Sequence, residues 1–163
     1  MKTNRSPLEK IFSREALIET FGRPREGRLV FTNGCFDIIH RGHVEYLHQA
    51  RALGDAMVVG VNTDDSVSRL KGLGRPVVGQ DDRVMILAGL ESVDAVTLFD
   101  EDTPHALITA LLPDVLVKGG DYELEGMIGR EEVEAAGGEA RIVPFIHGRS
   151  TTEVIQQIQS NKT

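Results

Sequence analysis

Short apolar runs alternate with amphipathic segments along most of this chain, and this alternation limits more than any other feature how the chain can fold. The runs are rich in β-branched residues and apolar at successive positions, as strands covered on both faces are. They predict five strands, over residues 28–33, 56–61, 95–99, 115–117 and 140–143. Residues with helical spacing predict five helices, over residues 44–53, 81–90, 103–111, 131–136 and 151–158.

The order of these elements predicts an α/β, Rossmann-like fold of three layers, with a mainly parallel sheet of about five strands and helices on both faces. In such sheets the ligand binds at the carboxyl ends of the strands. Chemistry is therefore expected just after residues 33, 61, 99, 117 and 143. We expect residues 1–27 to form a leading helix, with Ser13 as its N-cap, and a loop. Residues 28–163 are expected to form a single domain.

Composition and charge exclude several classes of protein. At 163 residues the chain suits one domain, and its formal net charge of −7 opposes binding to a nucleic-acid backbone. No segment approaches the roughly 18 apolar residues of a membrane span, and residues 1–21 lack the apolar core of a signal peptide. The single cysteine, Cys35, excludes an intrachain disulfide. We therefore expect a cytoplasmic protein without nucleic-acid or membrane partners.

The turn after the first predicted strand is the strongest candidate for a functional site. There His40 and His43 bracket Gly42 at the start of the next helix. A helix N-terminus attracts phosphate, glycine lets the backbone approach a ligand closely, and two histidines three positions apart can donate to the same anion. The alternatives are structural histidines, a buried structural cysteine at Cys35 and a zinc site that includes Cys35. The dinucleotide pattern GxGxxG is absent, which gives a Rossmann dehydrogenase little support. A phosphate site is favoured over these alternatives, and zinc is placed last.

Longer strings in the sequence carry a family resemblance. Residues 40–43 resemble the HxGH signature of the HxGH nucleotidyltransferase superfamily. Over residues 31–152 the chain resembles the adenylyltransferase of ADP-heptose synthesis, through the strings TNGCFDIIHRGHVEYL, LKGLGRPV, EDTPHALI, LPDVLVKGGDY and GRSTTEVI. Glycerol-phosphate cytidylyltransferases of the same superfamily carry an arginine where Phe145 stands here, which favours the heptose branch. Residues 28–163 would then be one nucleotidyltransferase domain.

The resemblance implies direct, in-line attack of a sugar 1-phosphate on the α-phosphorus of a nucleotide. A phosphate monoester is already an anion at neutral pH, so positioning and electrostatic stabilisation do most of the work. Catalytic roles at the phosphates are implied for His40, His43, Arg83 and Lys118. Mg²⁺ is expected as a cofactor carried with ATP, and no side-chain metal ligand is assigned.

The same resemblance assigns one set of residues to the nucleotide and a smaller set to the acceptor. Besides the two histidines, the residues expected at the nucleotide are Thr32, Asn33, Gly34, Cys35, Phe36, Gly42, Gly119, Asp121, Ser150, Thr151 and Thr152. Those expected at the acceptor or its phosphate are Asp37, Lys71 and Arg75. Structural alternatives are a solvated loop around Lys71, a turn-forming role for Asp121 and a helix N-cap at Ser150 or Thr151.

The expected reaction is transfer of AMP from ATP to D-glycero-β-D-manno-heptose 1-phosphate, which gives ADP-heptose and pyrophosphate. One alternative is a cytidylyltransferase acting on a polyol or amino-alcohol phosphate, since backbone groups are expected to decide the choice of base. Another is a nucleotide-binding regulatory module without catalysis. A separate sugar kinase is expected to supply the acceptor. Related enzymes commonly form dimers or larger assemblies, so we expect a homo-oligomer.

Overall fold

A computed structural model describes residues 5–120, 123–145 and 150–161. Its sheet has five parallel strands in the order β3-β2-β1-β4-β5. The strands are β1 (Leu29–Gly34), β2 (Ala56–Asn62), β3 (Ala95–Phe99), β4 (Val115–Gly119) and β5 (Glu139–Val143). Each predicted strand is therefore confirmed to within two residues at either end, and so is the predicted fold class.

Seven α-helices surround the sheet in the described residues. They are α1 (Arg14–Phe21), α2 (Arg41–Arg51), α3 (Asp64–Lys71), α4 (Gln80–Ala88), α5 (His105–Leu111), α6 (Arg130–Ala135) and α7 (Thr151–Ser160). Two short 3₁₀ turns, Pro7–Lys10 and Leu124–Gly126, complete the elements. The predicted N-cap at Ser13 is confirmed, since its hydroxyl accepts from the backbone N–H of Ala16 at 3.2 Å. In this part of the chain no helix is both long and apolar enough to cross a membrane.

Helix α3 is the one α-helix that the sequence patterns failed to predict. Asp64 and Asp65 form the first turn of this helix, where acidic side chains complement the helix dipole. Thr63 is the N-cap and accepts from the backbone N–H of Ser66. The helix is short and buries only Ser66 and Val67, so it has too few apolar positions for a periodic signal.

The core lies on both faces of the sheet, as strands with continuous apolar runs require. On one face α2 and α4 contribute buried side chains, among them Leu47 and Leu87. On the other face α1, α5 and α6 do so, among them Leu17, Ile108 and Val133. The leading helix α1 thus packs into the same core as the strands.

The order of the strands decides where a ligand can bind. The chain runs from β1 outward through β2 to β3, then returns to the other side of β1 for β4 and β5. The connections leaving β1 and β4 therefore diverge, and a crevice opens between the carboxyl ends of these two strands. The predicted phosphate turn follows β1, and Lys118 lies at the end of β4, so both border this crevice.

Candidate active site

A cavity of about 620 Å³ opens at the carboxyl ends of β1 and β4. Most of the predicted site residues line it: Asn33, Gly34, Cys35, Phe36, Asp37, His43, Lys71, Arg75, Lys118, Gly119, Thr151 and Thr152. A larger hollow of about 780 Å³ lies beside the end of β3, but it is wide open to solvent and contains none of the predicted residues. The cavity between β1 and β4 is therefore the candidate active site.

His40 and His43 form one hydrogen-bonded unit at the start of α2. The imidazole of His40 caps the helix, because its Nδ1 accepts from the backbone N–H of Gly42 at 3.1 Å. The Nδ1 of His43 accepts from the backbone N–H of His40 at 3.3 Å, and the two ring centroids are 3.9 Å apart. Because Nδ1 is an acceptor in both rings, the proton of each neutral imidazole lies on Nε2. His43 lines the cavity, so its Nε2–H can serve a ligand there.

The charge of His43 is set by its surroundings. Burial and, to a smaller extent, the neighbouring His40 lower the pKa of His43 from its ordinary value to about 4. The ring is therefore neutral at pH 7 and donates a hydrogen bond without carrying positive charge. Positive charge for an anionic ligand must come from lysine and arginine side chains of the cavity.

Lys118 supplies one such charge from the end of β4. Its ammonium group donates a hydrogen bond to the Oδ1 atom of Asn33, at the end of β1, and so bridges the two strands that frame the crevice. Burial lowers the pKa of Lys118 to about 8. The side chain is thus mostly protonated at pH 7, but it is already close to losing its charge.

The pKa of Lys118 predicts an alkaline limit to activity. We expect kcat/KM for the nucleotide to fall as the pH rises through about 8, because the free enzyme then loses the cation that attracts the triphosphate. Initial rates at low nucleotide concentration, measured from pH 7 to 10, test this. Lys118→Arg should move the limit to higher pH, since arginine stays charged throughout. The same limit in both proteins would contradict the assignment.

Asp37 and Arg75 form an ion pair on another wall of the cavity. The Asp37 carboxylate accepts from the Nε of Arg75 at 2.6 Å and from the backbone N–H groups of Val77 and Val78 at 2.8 Å. Burial alone would raise the pKa of Asp37, but these hydrogen bonds hold it below its usual value. Among the described residues none accepts from the two terminal guanidinium nitrogens of Arg75. Asp37 thus orients a guanidinium group that still has donors for an anion.

Several predicted residues lie outside the cavity. Thr32 is fully buried, and its hydroxyl is 2.6 Å from the hydroxyl of Tyr46. Gly42 and His40 form the capped helix start instead of a cavity wall. Ser150 caps α7 by accepting from the backbone N–H of Glu153, so its structural alternative is observed.

Arg83 and Asp121 are the remaining two predicted residues. Arg83, expected at the phosphates, is fully buried beneath the cavity and donates only to protein groups. The structure therefore does not bring Arg83 to the cavity surface, because its guanidinium is enclosed by its acceptors on Cys35, Val78 and Asp64. Asp121 lies outside the described residues.

The structure also brings to the cavity residues that the sequence analysis did not assign to the site: Tyr46, Asn62, Met127, Ile128 and Phe145. Asn62 ends β2 at the ligand edge, so the position of its strand was an available signal. Phe145 packs over the glycine turn after β4, where a β-carbon on Gly119 would lie 2.6 Å from its ring. Gly119 is thus needed for this close approach.

The residues present fit a metal ion that arrives with its nucleotide. Within the described ranges no group of three histidine, cysteine, aspartate or glutamate residues could hold a metal ion. The buried carboxylate in the cavity, that of Asp37, already accepts hydrogen bonds from three donor groups. Mg²⁺ needs few protein ligands, since it keeps waters and binds substrate phosphates. Neutral donors and cations around the cavity suit such a Mg²⁺–triphosphate complex.

A glycine-containing turn with an HxGH string, at the switch point of a parallel α/β sheet, defines the class of the nucleotidyltransferases. The family model described as Cytidylyltransferase-like matches residues 31–157, and the chain belongs to this family. The prediction of a nucleotidyltransferase is thereby confirmed.

Relatives with the name "Bifunctional protein HldE" are similar over most of the chain. The relative from Citrifermentans bemidjiense is 56% identical over 137 residues, which are 84% of this chain and 28% of the relative. The relative from Trichlorobacter lovleyi is 49% identical over 162 residues, 98% of this chain and 33% of the relative. The relative from Vibrio cholerae serotype O1 is 53% identical over 154 residues, which are 93% of this chain and 32% of the relative. The chain spans about a third of the length of these curated relatives.

Solved structures agree with the fold. The lipopolysaccharide core biosynthesis protein from Thermoplasma volcanium superposes with a TM-score of 0.60 at 28% identity, covering 74% of this chain and 97% of that one. Pantoate-beta-alanine ligase from Francisella tularensis superposes with a TM-score of 0.57 at 12% identity, covering 94% of this chain and 78% of that one. The second likeness concerns the fold alone.

Proposed function

We propose that this protein transfers AMP from ATP to D-glycero-β-D-manno-heptose 1-phosphate, releasing pyrophosphate. The HldE relatives and the long strings shared with the adenylyltransferase of ADP-heptose synthesis support this choice over a cytidylyltransferase or a regulatory module. The observation that carries the proposal is the distribution of donors around one cavity. His43 and Lys118 lie at the ends of α2 and β4, whereas Lys71 and Arg75 come from the segment that follows β2.

Two sets of donors suit a reaction that joins two anions. An oxygen of the acceptor phosphate forms a bond to the α-phosphorus, and the bond from that phosphorus to the oxygen bridging to the β-phosphorus breaks. Pyrophosphate leaves with the bridging oxygen, and no side chain has to remove a proton. Mg²⁺ on the triphosphate would reduce the repulsion between the anions. The protein must hold both phosphates in line and stabilise the added charge.

The nucleotide phosphates are assigned to His43, Lys118 and the start of α7. The neutral His43 donates from Nε2, and Lys118 provides a charge close to the strand ends. Thr151 and Thr152 line the cavity in the first turn of α7, where backbone N–H groups favour phosphate. Ser150 supports this helix start as its N-cap, so capping and phosphate binding act together.

The acceptor phosphate is assigned to Lys71 and Arg75. Lys71 is the last residue of α3, and its exposed side chain borders the cavity. Arg75 is oriented through its Nε by Asp37, which leaves the terminal nitrogens for a bidentate contact with phosphate. Asp37 in this assignment orients Arg75 and does not contact the sugar.

Pyrophosphate release by the purified protein tests the proposed function. ATP, CTP and GTP are each combined with heptose 1-phosphate and with glycerol 3-phosphate in the presence of Mg²⁺. We expect release with ATP and the heptose phosphate. Release only with CTP and glycerol 3-phosphate would keep the chemistry but replace both substrates. ATP binding without release from any pair would favour the regulatory module.

Four wider assignments belong to the same proposal. They are a single nucleotidyltransferase domain over residues 28–163, a homo-oligomeric state, a sugar kinase that supplies the acceptor, and a cytoplasmic location. Light scattering on the purified protein tests the oligomeric state, and a single cooperative unfolding transition supports a single domain.

A further inference from the structure

Arg83 is the largest fully buried side chain of the described residues, and its guanidinium makes three hydrogen bonds. Its Nε donates to the carbonyl oxygen of Val78 at 2.9 Å, and Nη1 donates to the carbonyl oxygen of Cys35 at 2.6 Å. Its Nη2 lies 2.7 Å from the Oδ1 atom of Asp64. Each guanidinium nitrogen of Arg83 thus has an acceptor in the protein, and Arg83 does not line the cavity.

The three partners of Arg83 belong to three different segments around the cavity. Cys35 is part of the turn after β1. Val78 ends the segment 75–78, which carries Arg75. Asp64 begins α3, the helix that ends at Lys71. One side chain on α4 thus joins the nucleotide turn to both residues assigned to the acceptor phosphate.

A second contact joins two of these segments. Asp37 follows the turn after β1, and its carboxylate accepts from the backbone N–H of Val78, while Arg83 donates to the carbonyl oxygen of the same residue. The loop that precedes this segment offers no comparable support. Gly72 and Gly74 adopt positive φ angles, a β-carbon added at either would meet no atom within 4 Å, and Leu73 is fully exposed. The placement of Arg75 therefore depends on the contacts of Asp37 and Arg83, together with the hydroxyl of Ser68 on α3, which donates to the carbonyl oxygen of Arg75 at 2.7 Å.

An arginine suits this junction for a geometric reason. Its planar guanidinium holds donors in fixed, diverging directions, whereas a lysine has a single nitrogen on a flexible chain. The ion pair of Arg83 with the partly exposed Asp64 is weak evidence for stability, because removing the guanidinium charge from water costs about as much as the attraction returns. The specific value of Arg83 is thus the alignment of three segments.

We propose that Arg83 is a positioning residue of this transferase, which holds Lys71 and Arg75 at a set distance from the nucleotide turn through Val78, Cys35 and Asp64. This inference rests on the proposed function and deepens it. Arg83 touches neither substrate, so its loss should weaken use of the acceptor more than binding of ATP.

The first test compares Arg83→Lys with Arg25→Lys. Arg25 is a matched control, since its nearly buried guanidinium also donates to a carboxylate, that of Asp114, and to backbone carbonyl oxygens. Asp114 directly precedes β4, so these contacts lie at the amino ends of the strands, away from the cavity. We expect Arg83→Lys to lower kcat/KM for the acceptor roughly 10- to 100-fold, as a displacement of about 1 Å can. KM for ATP should change little, and Arg25→Lys should change neither constant. Equal kinetic losses in the two variants would overturn the proposal.

A double-mutant cycle separates positioning from general damage. If Arg83 acts through Arg75 and Lys71, then Arg83→Lys should lower kcat/KM for the acceptor less in an Arg75→Ala background than in the wild type. If the losses in kcat/KM of the two single variants multiply in full in the double variant, positioning by Arg83 is contradicted. Should Arg83→Lys fail to fold, Asp64→Ala replaces it, because the Asp64 side chain is 42% exposed and does not line the cavity. The same coupling with Arg75 is then expected, with a smaller loss.

A fluorescence measurement tests the inference without turnover. The chain contains no tryptophan, so Val77→Trp places a single reporter in segment 75–78, at a side chain that is 58% exposed. Adding Arg83→Lys should lower the anisotropy of this reporter, whereas adding Arg25→Lys should leave it unchanged. Unchanged anisotropy in both would refute positioning even in an active enzyme. Lower anisotropy in a protein without pyrophosphate release would support positioning while the proposed function fails.

Discussion

Replacing His43 with alanine is expected to reduce pyrophosphate release about 100- to 1,000-fold, the usual cost of one donor to developing negative charge. The ring lines the cavity, and its Nε2–H is directed to serve the phosphates because Nδ1 already accepts from the backbone N–H of His40. The fold should survive, since the side chain of His43 makes only this one hydrogen bond with the described residues. Steady-state kinetics with saturating Mg²⁺ and thermal unfolding of the same sample provide the two measurements.

His48→Ala is the matched control for this substitution. His48 lies on the same helix α2, is exposed and does not line the cavity. Its loss should leave the rate unchanged. The neutral state of His43 adds a further expectation: activity should not fall as the pH drops from 7 to 6, beyond the protonation of the substrates themselves, because the pKa of His43 is about 4. Normal turnover in His43→Ala would refute the phosphate role of this turn.

Replacing Lys118 with methionine should have opposite effects on activity and on stability. We expect kcat/KM for ATP to fall about 100-fold or more, since a cation at the triphosphate is lost. The free energy of unfolding at pH 7 should rise by roughly 1–3 kcal/mol, because a buried charge is replaced by an apolar chain of similar length. The lost hydrogen bond to Asn33 offsets part of this gain.

The pH dependence of stability tests the same point. The pKa of Lys118 in the folded protein, about 8, lies below its ordinary value of 10.5. Between these values the unfolded chain binds more protons, so this residue makes the folded protein less stable below pH 8 and ceases to do so above 10.5. The advantage of Lys118→Met over the wild type, measured by denaturant unfolding, should therefore shrink as the pH rises from 8 to 10. A variant that is less stable at pH 7 would contradict burial as the cause.

Local patterns explain what could be predicted about this fold. Strands β1 to β5 were predicted because each is an apolar, β-branched run, and that signal needs no tertiary partner. Helix α3 was missed since its sequence is mostly polar, with Val67 as its one buried apolar residue. Its N-cap and its contacts with the sheet stabilise it more than its own pattern indicates.

The candidate site, too, could be predicted only in part from the sequence. The end of β1, the start of α2 and the end of β4 could be assigned to one cavity from the topology rule alone, which brought His43 and Lys118 together. The direction of each side chain could not be assigned. Thr32 points to Tyr46 in the interior, and Arg83 points beneath the cavity.

The sequence by itself determined the parallel sheet, its ligand-binding edge and the residue types available there. This was possible because the apolar runs of the strands and the residues at helix N-termini are local features of the sequence. Only the tertiary structure decided which of those residues face the ligand. The pairs that set those directions are distant in sequence: Asp37 with Arg75 over 38 residues and Cys35 with Arg83 over 48. Such contacts form only when strands and helices pack, since packing alone brings a buried guanidinium within reach of carbonyl groups on another element.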